Sequence, residues 1–226
     1  MDSSIWAIFY DLGAADRDVY LRWFHDVHIP EKLARPGYVS AGHYEIVAAD
    51  GKPGSSTGSQ AADGAAGYVA LFGGEDTSVF LNPSPAQIKP RRSEATRSMM
   101  GRRIGSRSFI AAQEWLAATK AARDERADGA IVLTCCDTPE KDEEFGAWCV
   151  QDLRPALQAH AGFRFVSKLL ATTGPMKHAT FAGFESIDAA LGFAANPPKT
   201  EWAERIAKSQ VPVPGSPLVA RRIWPA

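Results

Sequence analysis

The chain has 226 residues, enough to bury a core without disulfide staples and open to one large domain or two modest ones. Hydrophobic residues make up 45% and charged residues 23%, ordinary globular values that set aside disorder, collagen and coiled coil for the chain as a whole. Lys plus Arg number 25 against 26 Asp plus Glu, and the net charge of -1 gives no overall field for nucleic acid or an anionic membrane surface.

The start, Met1-Asp2-Ser3-Ser4, has neither the basic residues nor the apolar run of a signal peptide, and no stretch reaches the roughly 18 apolar residues of a membrane span. A cytoplasmic protein without a membrane partner is expected. Ile5 to Leu12 is a short apolar and aromatic run closed by Gly13, which predicts a buried strand. From Asp16 to Ala34 the spacing turns helical, with Val19, Tyr20, Trp23, Phe24 and Val27 on one stripe. Pro30 is expected to kink or end that helix. Tyr38 to Ala48 predicts a second strand, and Gly67 to Phe72 a third. Between them Asp50 to Ala66, rich in Gly, Ser and Ala, predicts a mobile hairpin connection with little to bury. Thr77 to Gly101 predicts helix broken around Asn82-Pro83-Ser84-Pro85, and Arg103 to Trp115 alternates as a fourth strand. The order β-α-β-β-α-β is the split βαβ arrangement of ferredoxin-like folds.

The order then repeats: a strand near Ala130 to Asp137, a helix near Glu140 to His160, strands near Phe163 to Thr172 and Lys177 to Phe184, broken helix around Asn196-Pro197-Pro198, and a strand near Leu218 to Trp224. Trp23, Pro30, Gly37 and Tyr38 are each matched 125 positions later by Trp148, Pro155, Gly162 and Phe163. The fold class expected is α+β, two tandem ferredoxin-like βαββαβ units packed sheet to sheet as an α/β barrel with helices outside. The units fall at 1–116 and 130–226, joined by the charged, Ala-rich connection 117–129. Cys135, Cys136 and Cys149 are odd in number and lack C-x-x-C spacing, so buried thiols are expected rather than disulfides or a structural zinc site.

Three of the five histidines fall within Trp23 to Tyr44. The string WFHDVHIPEKLARPGYVSAGHYE over these residues and Glu45 resembles the Trp…His-x-Pro-Glu…Pro-Gly-x-x-Ser-Ala-x-x-Tyr signature of EthD-like proteins in the dimeric α/β-barrel superfamily. The resemblance implies a barrel that binds small, often aromatic or polyketide-like molecules. Related groups are cofactor-free monooxygenases, muconolactone isomerases, polyketide cyclases and haem-binding peroxidases. With both units in one chain an obligate dimer becomes unnecessary, although a homodimer stays open.

At the same offset His25, His28 and Glu31 are replaced by Val150, Leu153 and Ala156, which points to a single polar site in the first half. An unperturbed histidine titrates near neutrality, so His28 is the expected general acid/base, with Glu31 as its partner and Tyr44 and Tyr10 as donors to an enolate or phenolate oxygen. Strand alternation puts Trp6, Ile8 and Tyr10 on one face, a candidate pocket lining. With His25, His43 and His178 they complete the expected ligand contacts. The structural alternatives are a helix-ending His28 bonded to a carbonyl, a solvated His25, an exposed His43 and tyrosines that only pack.

A metal on His25, His28 and Glu31 is disfavoured by Pro30 within that face and by the absence of an HExxH pattern. Haem on His178 or His28 lacks supporting motifs, so no cofactor is expected. Lys89, Arg91, Arg92, Arg97, Arg102 and Arg103 form a local basic cluster, either a solvated face or a means of steering an acidic substrate. No GxSxG, P-loop or dinucleotide fingerprint occurs. The expected function is cofactor-independent acid/base chemistry of lyase, cyclase or isomerase type on a mostly apolar or aromatic metabolite. The alternatives are a non-catalytic ligand-binding or accessory barrel and a cofactor-free monooxygenase.

Overall fold

The computed structural model describes residues 2–50, 52–53, 65–124 and 128–225. Most of the expected hairpin connection, 54–64, and residues 125–127 of the connection between halves lie outside the described residues. Eight long strands form the scaffold: β1 (Ser4–Leu12), β2 (Tyr38–Ala49), β3 (Ala66–Gly74), β4 (Ile104–Ala118), β5 (Ala130–Asp137), β6 (Phe163–Thr173), β7 (His178–Phe184) and β8 (Leu218–Trp224). They pair in the order β8-β2-β3-β1-β4-β6-β7-β5, and β8 pairs β5 as well, which closes the ring. Every pairing is antiparallel. Within each half the strand order is that of a ferredoxin-like sheet. The halves join edge to edge, Ala112 of β4 opposite Leu170 of β6 and Ala220 of β8 opposite Ile46 of β2.

Closure divides each strand by parity. Ile5, Ala7 and Phe9 of β1 point inward with Leu71, Phe109, Ile131, Leu133, Leu169, Phe181 and Ala220. Trp6, Ile8, Tyr10 and Leu12 point outward beneath the first-half helix. On the other side of the barrel Val132, Cys136, Val166, Ala182 and Phe184 point outward beneath the second-half helices. The three cysteines are free and buried, as expected, and burial pushes the Cys135 and Cys149 thiols up to about 12 and Cys136 up to about 11.

The two long helices, α1 over residues 17–33 and α3 over residues 142–159, share an irregularity (α2 is the short helix Glu94–Met100 between them). Each widens into one π turn, Phe24–His28 in α1 and Cys149–Leu153 in α3, again 125 residues apart. Pro30 does not end α1 as expected. The Ile29 N–H bonds the Phe24 carbonyl five residues back, and the helix resumes over Ile29–Leu33 with Pro30 in its first turn, where no intrahelical N–H is required. Pro155 sits equivalently in α3. Two further helices, α4 (Ile187–Ala195) and α5 (Glu201–Ser209), flank the proline break expected near Asn196.

Gly37 and Gly162 both take positive φ, 81° and 79°, and their carbonyls accept from Glu75 and Glu185, the residues after β3 and β7. A Cβ would lie 2.5 Å from Val79 Cγ2 at the first and 2.8 Å from the Ala189 Cβ at the second. Gly37→Ala and Gly162→Ala should therefore each cost at least about 1–2 kcal/mol from the left-handed backbone alone. Urea unfolding reads this directly, and an unchanged midpoint for either variant contradicts the shared backbone geometry.

Candidate functional site

The barrel is packed at one end by Phe9, Phe109, Leu133 and Met176 and hollow at the other. The hollow end is a cavity of about 380 Å3, within the range of small-molecule sites. Ile5, Leu71, Leu116, Phe165 and Phe181 supply its apolar wall, and Gln113, Ser167 and Arg164 supply polar groups. The Ser167 hydroxyl has two acceptors within reach, Gln113 Oε1 at 3.1 Å and the Trp115 carbonyl at 3.2 Å.

Tyr44, Asp128 and Arg222 also line the cavity and form its charged corner. The Tyr44 hydroxyl donates to Asp128 Oδ2 at 2.8 Å and accepts from Arg222 Nη2 at 2.7 Å. Arg222 also pairs with Asp128 Oδ1 and donates through Nε to the Asp128 carbonyl at 2.6 Å. Burial and the neighbouring Asp128 carboxylate push the Tyr44 hydroxyl well above its ordinary pKa, so it stays a proton-bearing donor. Tyr44 is the only sequence-predicted site residue lining the cavity. Asp128 and Arg222 were not foreseen, because they stand 84 and 178 positions from Tyr44 and meet it only through barrel closure.

The other predicted residues lie elsewhere. Trp6 and Ile8 were expected to line the pocket but pack beneath α1. Alternation correctly groups them on one face, and closure makes that face the outer one. Tyr10 is buried on the same face and bonds His43 Nε2 at 2.8 Å, while His43 Nδ1 bonds His25 Nε2 at 2.7 Å. His43 is fully buried, not an exposed strand residue, and this chain of three side chains joined by two hydrogen bonds does not touch the cavity. His28 stacks on Trp23 and Phe24, with ring centroids at 4.9 and 5.4 Å. Burial, then Lys32 and Arg103, push its pKa down to about 2, so the ring is neutral at physiological pH and has no proton to return as an acid. Glu31 is exposed, and its charge acts on Lys32.

The second half is not devoid of buried polarity, contrary to the comparison of motifs. Lys168, 125 positions after His43, is 1% exposed and donates to Glu114 Oε2 at 2.7 Å and the Leu169 carbonyl at 3.1 Å, with His178 Nδ1 at 2.9 Å. His178 Nε2 reaches Asp142 Oδ1 at 2.7 Å, so both its ring nitrogens are engaged beneath α3. Pairing with Lys177 and His178 holds the Asp142 carboxyl well below the usual range. His178 is thus a member of an ionic network rather than a ligand contact of the cavity.

Among the described residues no group of three or more His, Cys, Asp and Glu is placed to hold a metal ion. Haem on His28 or His178 does not fit, because neither histidine lines the cavity. No histidine, cysteine or methionine lines the cavity, and His28 and His178 are held in stacking and ionic contacts. No helix among the described residues is long and apolar enough to cross a membrane.

No family model and no curated protein matches the chain. Solved structures do. A candidate monooxygenase from Fusobacterium nucleatum superposes with a TM-score of 0.56 at 12% identity, over 98% of this chain and 92% of its own. An anthrone oxidase-like protein gives 0.58 at 10% identity over the same shares. A chlorite dismutase variant from Candidatus Nitrospira defluvii gives 0.52 at 9% identity, over 98% of this chain and 91% of its own. The likeness is one of fold: the chain is an α+β barrel built from two ferredoxin-like halves.

Lys32 generates a pH prediction. It is 5% exposed, and burial with the charges of Arg35, Arg92 and Arg103 lowers its pKa to about 7 from 10.5. The unfolded chain therefore holds a proton that the folded chain releases above about 7, and stability should rise with pH there by about 1 kcal/mol per unit. Above about 9 the three buried thiols, kept protonated by folding, reverse the trend. Denaturant unfolding between pH 7 and 8.5 should show the rise in the wild type and not in Lys32→Met. An equal rise in both contradicts the assignment.

Proposed function

We propose that the protein is a small-molecule barrel that takes a mostly apolar or aromatic metabolite into the interior cavity and removes a proton from it at the Tyr44–Asp128–Arg222 corner. One observation carries this reading: the barrel core holds a cavity of about 380 Å3 where its apolar wall meets a buried, hydrogen-bonded charge cluster. A carbonyl or phenolic ligand with its oxygen at that corner would place an acidic C–H or O–H beside Asp128.

The electrostatics suit the step. The Asp128 carboxylate takes the proton, and the C–H or O–H electron pair remains on the ligand as an enolate or phenolate. Negative charge moves from the carboxylate to the ligand oxygen, where Arg222 and the Tyr44 hydroxyl, freed from Asp128, receive it. Net charge at the corner does not change, and no cofactor enters. Return of the proton to another atom gives isomerisation, and attack of the carbanion within the ligand gives cyclisation. Capture by dioxygen gives the cofactor-free monooxygenase outcome. The resemblance of Trp23 to Glu45 to EthD-like proteins supports this class of ligand, and His28, neutral and stacked, leaves the acid/base role to Asp128.

A non-catalytic binding barrel is the second reading. It is favoured by the fact that the Tyr44 hydroxyl already both donates and accepts within the cluster.

Deuterium exchange at the α-carbon of enolisable aromatic ketones in D2O, followed by NMR, tests the proposal without knowledge of the final product. The wild type should accelerate exchange, Asp128→Asn and Tyr44→Phe should each lose roughly 100-fold or more, and His28→Gln should keep it. Exchange as fast in Asp128→Asn as in the wild type would overturn the mechanism. Ligand binding without any exchange would establish the second reading.

A further inference from the structure

On the opposite side of the sheet from the cavity, α1 and the segment that leads into β4 bring four cations together without a carboxylate partner. Lys32 lies over the Trp6 ring at 5.0 Å from its centroid and near the Tyr38 ring at 6.0 Å. Arg103 lies over the Tyr10 ring at 4.2 Å and donates through Nε to the Tyr20 hydroxyl at 2.6 Å. Arg35 and Arg92 are half-buried beside them, close enough to depress the protonation of Lys32. Among the described residues none of the four forms an ion pair. The exposed Glu31 acts on Lys32 by its charge and forms no ion pair with it among the described residues.

The buried donors around this cluster are equally incomplete. Trp6 Nε1 and Arg103 Nη2, both donors, are out of contact with solvent and lack any hydrogen-bond partner, as does His28 Nδ1, which donates in one of the two ring tautomers. Buried polar groups are almost always satisfied, and a buried ammonium needs an acceptor or must shed its proton. Aromatic faces attract the Lys32 and Arg103 charges but accept no hydrogen bond of ordinary strength. Unpaired nitrogen donors and positive charge share this side of the sheet, and the missing component is an oxygen acceptor with negative charge.

We propose that Lys32, Arg35, Arg92 and Arg103 form an oxyanion-binding site beneath α1, separate from the interior cavity. Its ligand is a small molecule or head group that carries a carboxylate or a tetrahedral dianion of the phosphate or sulfate type. Arg35 and Arg92 receive the anion at the rim, and Lys32 takes up a proton to pair with it. Because the bound form needs that proton, affinity falls as pH rises. The groups that face Lys32 and set this dependence are Glu31 and His28 on α1, Arg35 in the turn that follows it, Arg92 and Arg103 opposite, and the rings of Trp6 and Tyr38 beneath.

Inorganic sulfate and benzoate, each titrated calorimetrically in low-salt buffer at pH 6.5 and 8.5, distinguish the two anion types without ionisation changes of their own in that window. At least one should bind the wild type, with affinity at least tenfold higher at pH 6.5, and tighter sulfate or tighter benzoate assigns the head group. Lys32→Met and Arg92→Gln should each weaken binding at least tenfold, and Tyr44→Phe should leave it unchanged. Arg92→Gln changes a half-buried side chain and serves where Lys32→Met fails to fold. Equal affinity in wild type and Arg92→Gln, or no binding of either anion at pH 6.5, would overturn the site. Loss of binding in Tyr44→Phe would place the anion in the cavity instead and would likewise overturn it.

Discussion

Closure of the barrel through β8 is the constraint on which the rest of the structure depends. This one strand pairs with β2 from the first half and β5 from the second, so two ferredoxin-like sheets become a single ring. Once the ring is closed, parity along each strand decides between two environments. One face of β1 meets the other strands across the interior, and its alternate face meets α1. The cavity exists because inward side chains fill the ring at one end only. Its charged corner exists because Asp128, at the entry to β5, and Arg222, near the end of β8, are carried to Tyr44 by the same closure.

The scaffold was largely legible in the sequence, and the physical reason is that strand and helix periods survive in the residue pattern. The strands β5 and β8 fall where alternation and apolar runs place them, and the offset of 125 residues between Trp23 and Trp148 extends to the π turns that follow both. Pro30 shows the limit of a local rule. A proline breaks a regular helix, but it is accommodated in the first turn after a π turn, and the sequence alone does not announce that turn.

The site was legible only in part. Tyr44 was singled out within the His-rich segment and does line the cavity, whereas Trp6, Ile8 and Tyr10 were assigned to the wrong side. Alternation reports that residues share a face, and only the closed ring tells which face is inside. Asp128 lies in a charged connection that reads as solvated, and Lys32 lies in a motif where a lysine reads as surface. Neither carried a local signal, since burial of a charge depends on partners that are distant in sequence. The comparison of helices also concealed Lys168, whose position matches His43 and whose network with Glu114, His178 and Asp142 gives the second half its own buried charge.

Together these features describe a barrel with polar chemistry on both sides of its wall: a largely apolar interior with a compensated charge cluster at one corner, and a basic, uncompensated patch outside it beneath α1. The interior is the surface on which the functional account stands. Methyl-labelled protein titrated with a library of neutral phenols and aromatic ketones tests it most directly by NMR. The account predicts that the methyls of Ile5, Leu71 and Leu116, which face the cavity, shift on binding while those of Ile8, Leu12 and Ile29 beneath α1 do not. Shifts at Ile8, Leu12 and Ile29 with Ile5 and Leu71 unmoved would contradict it.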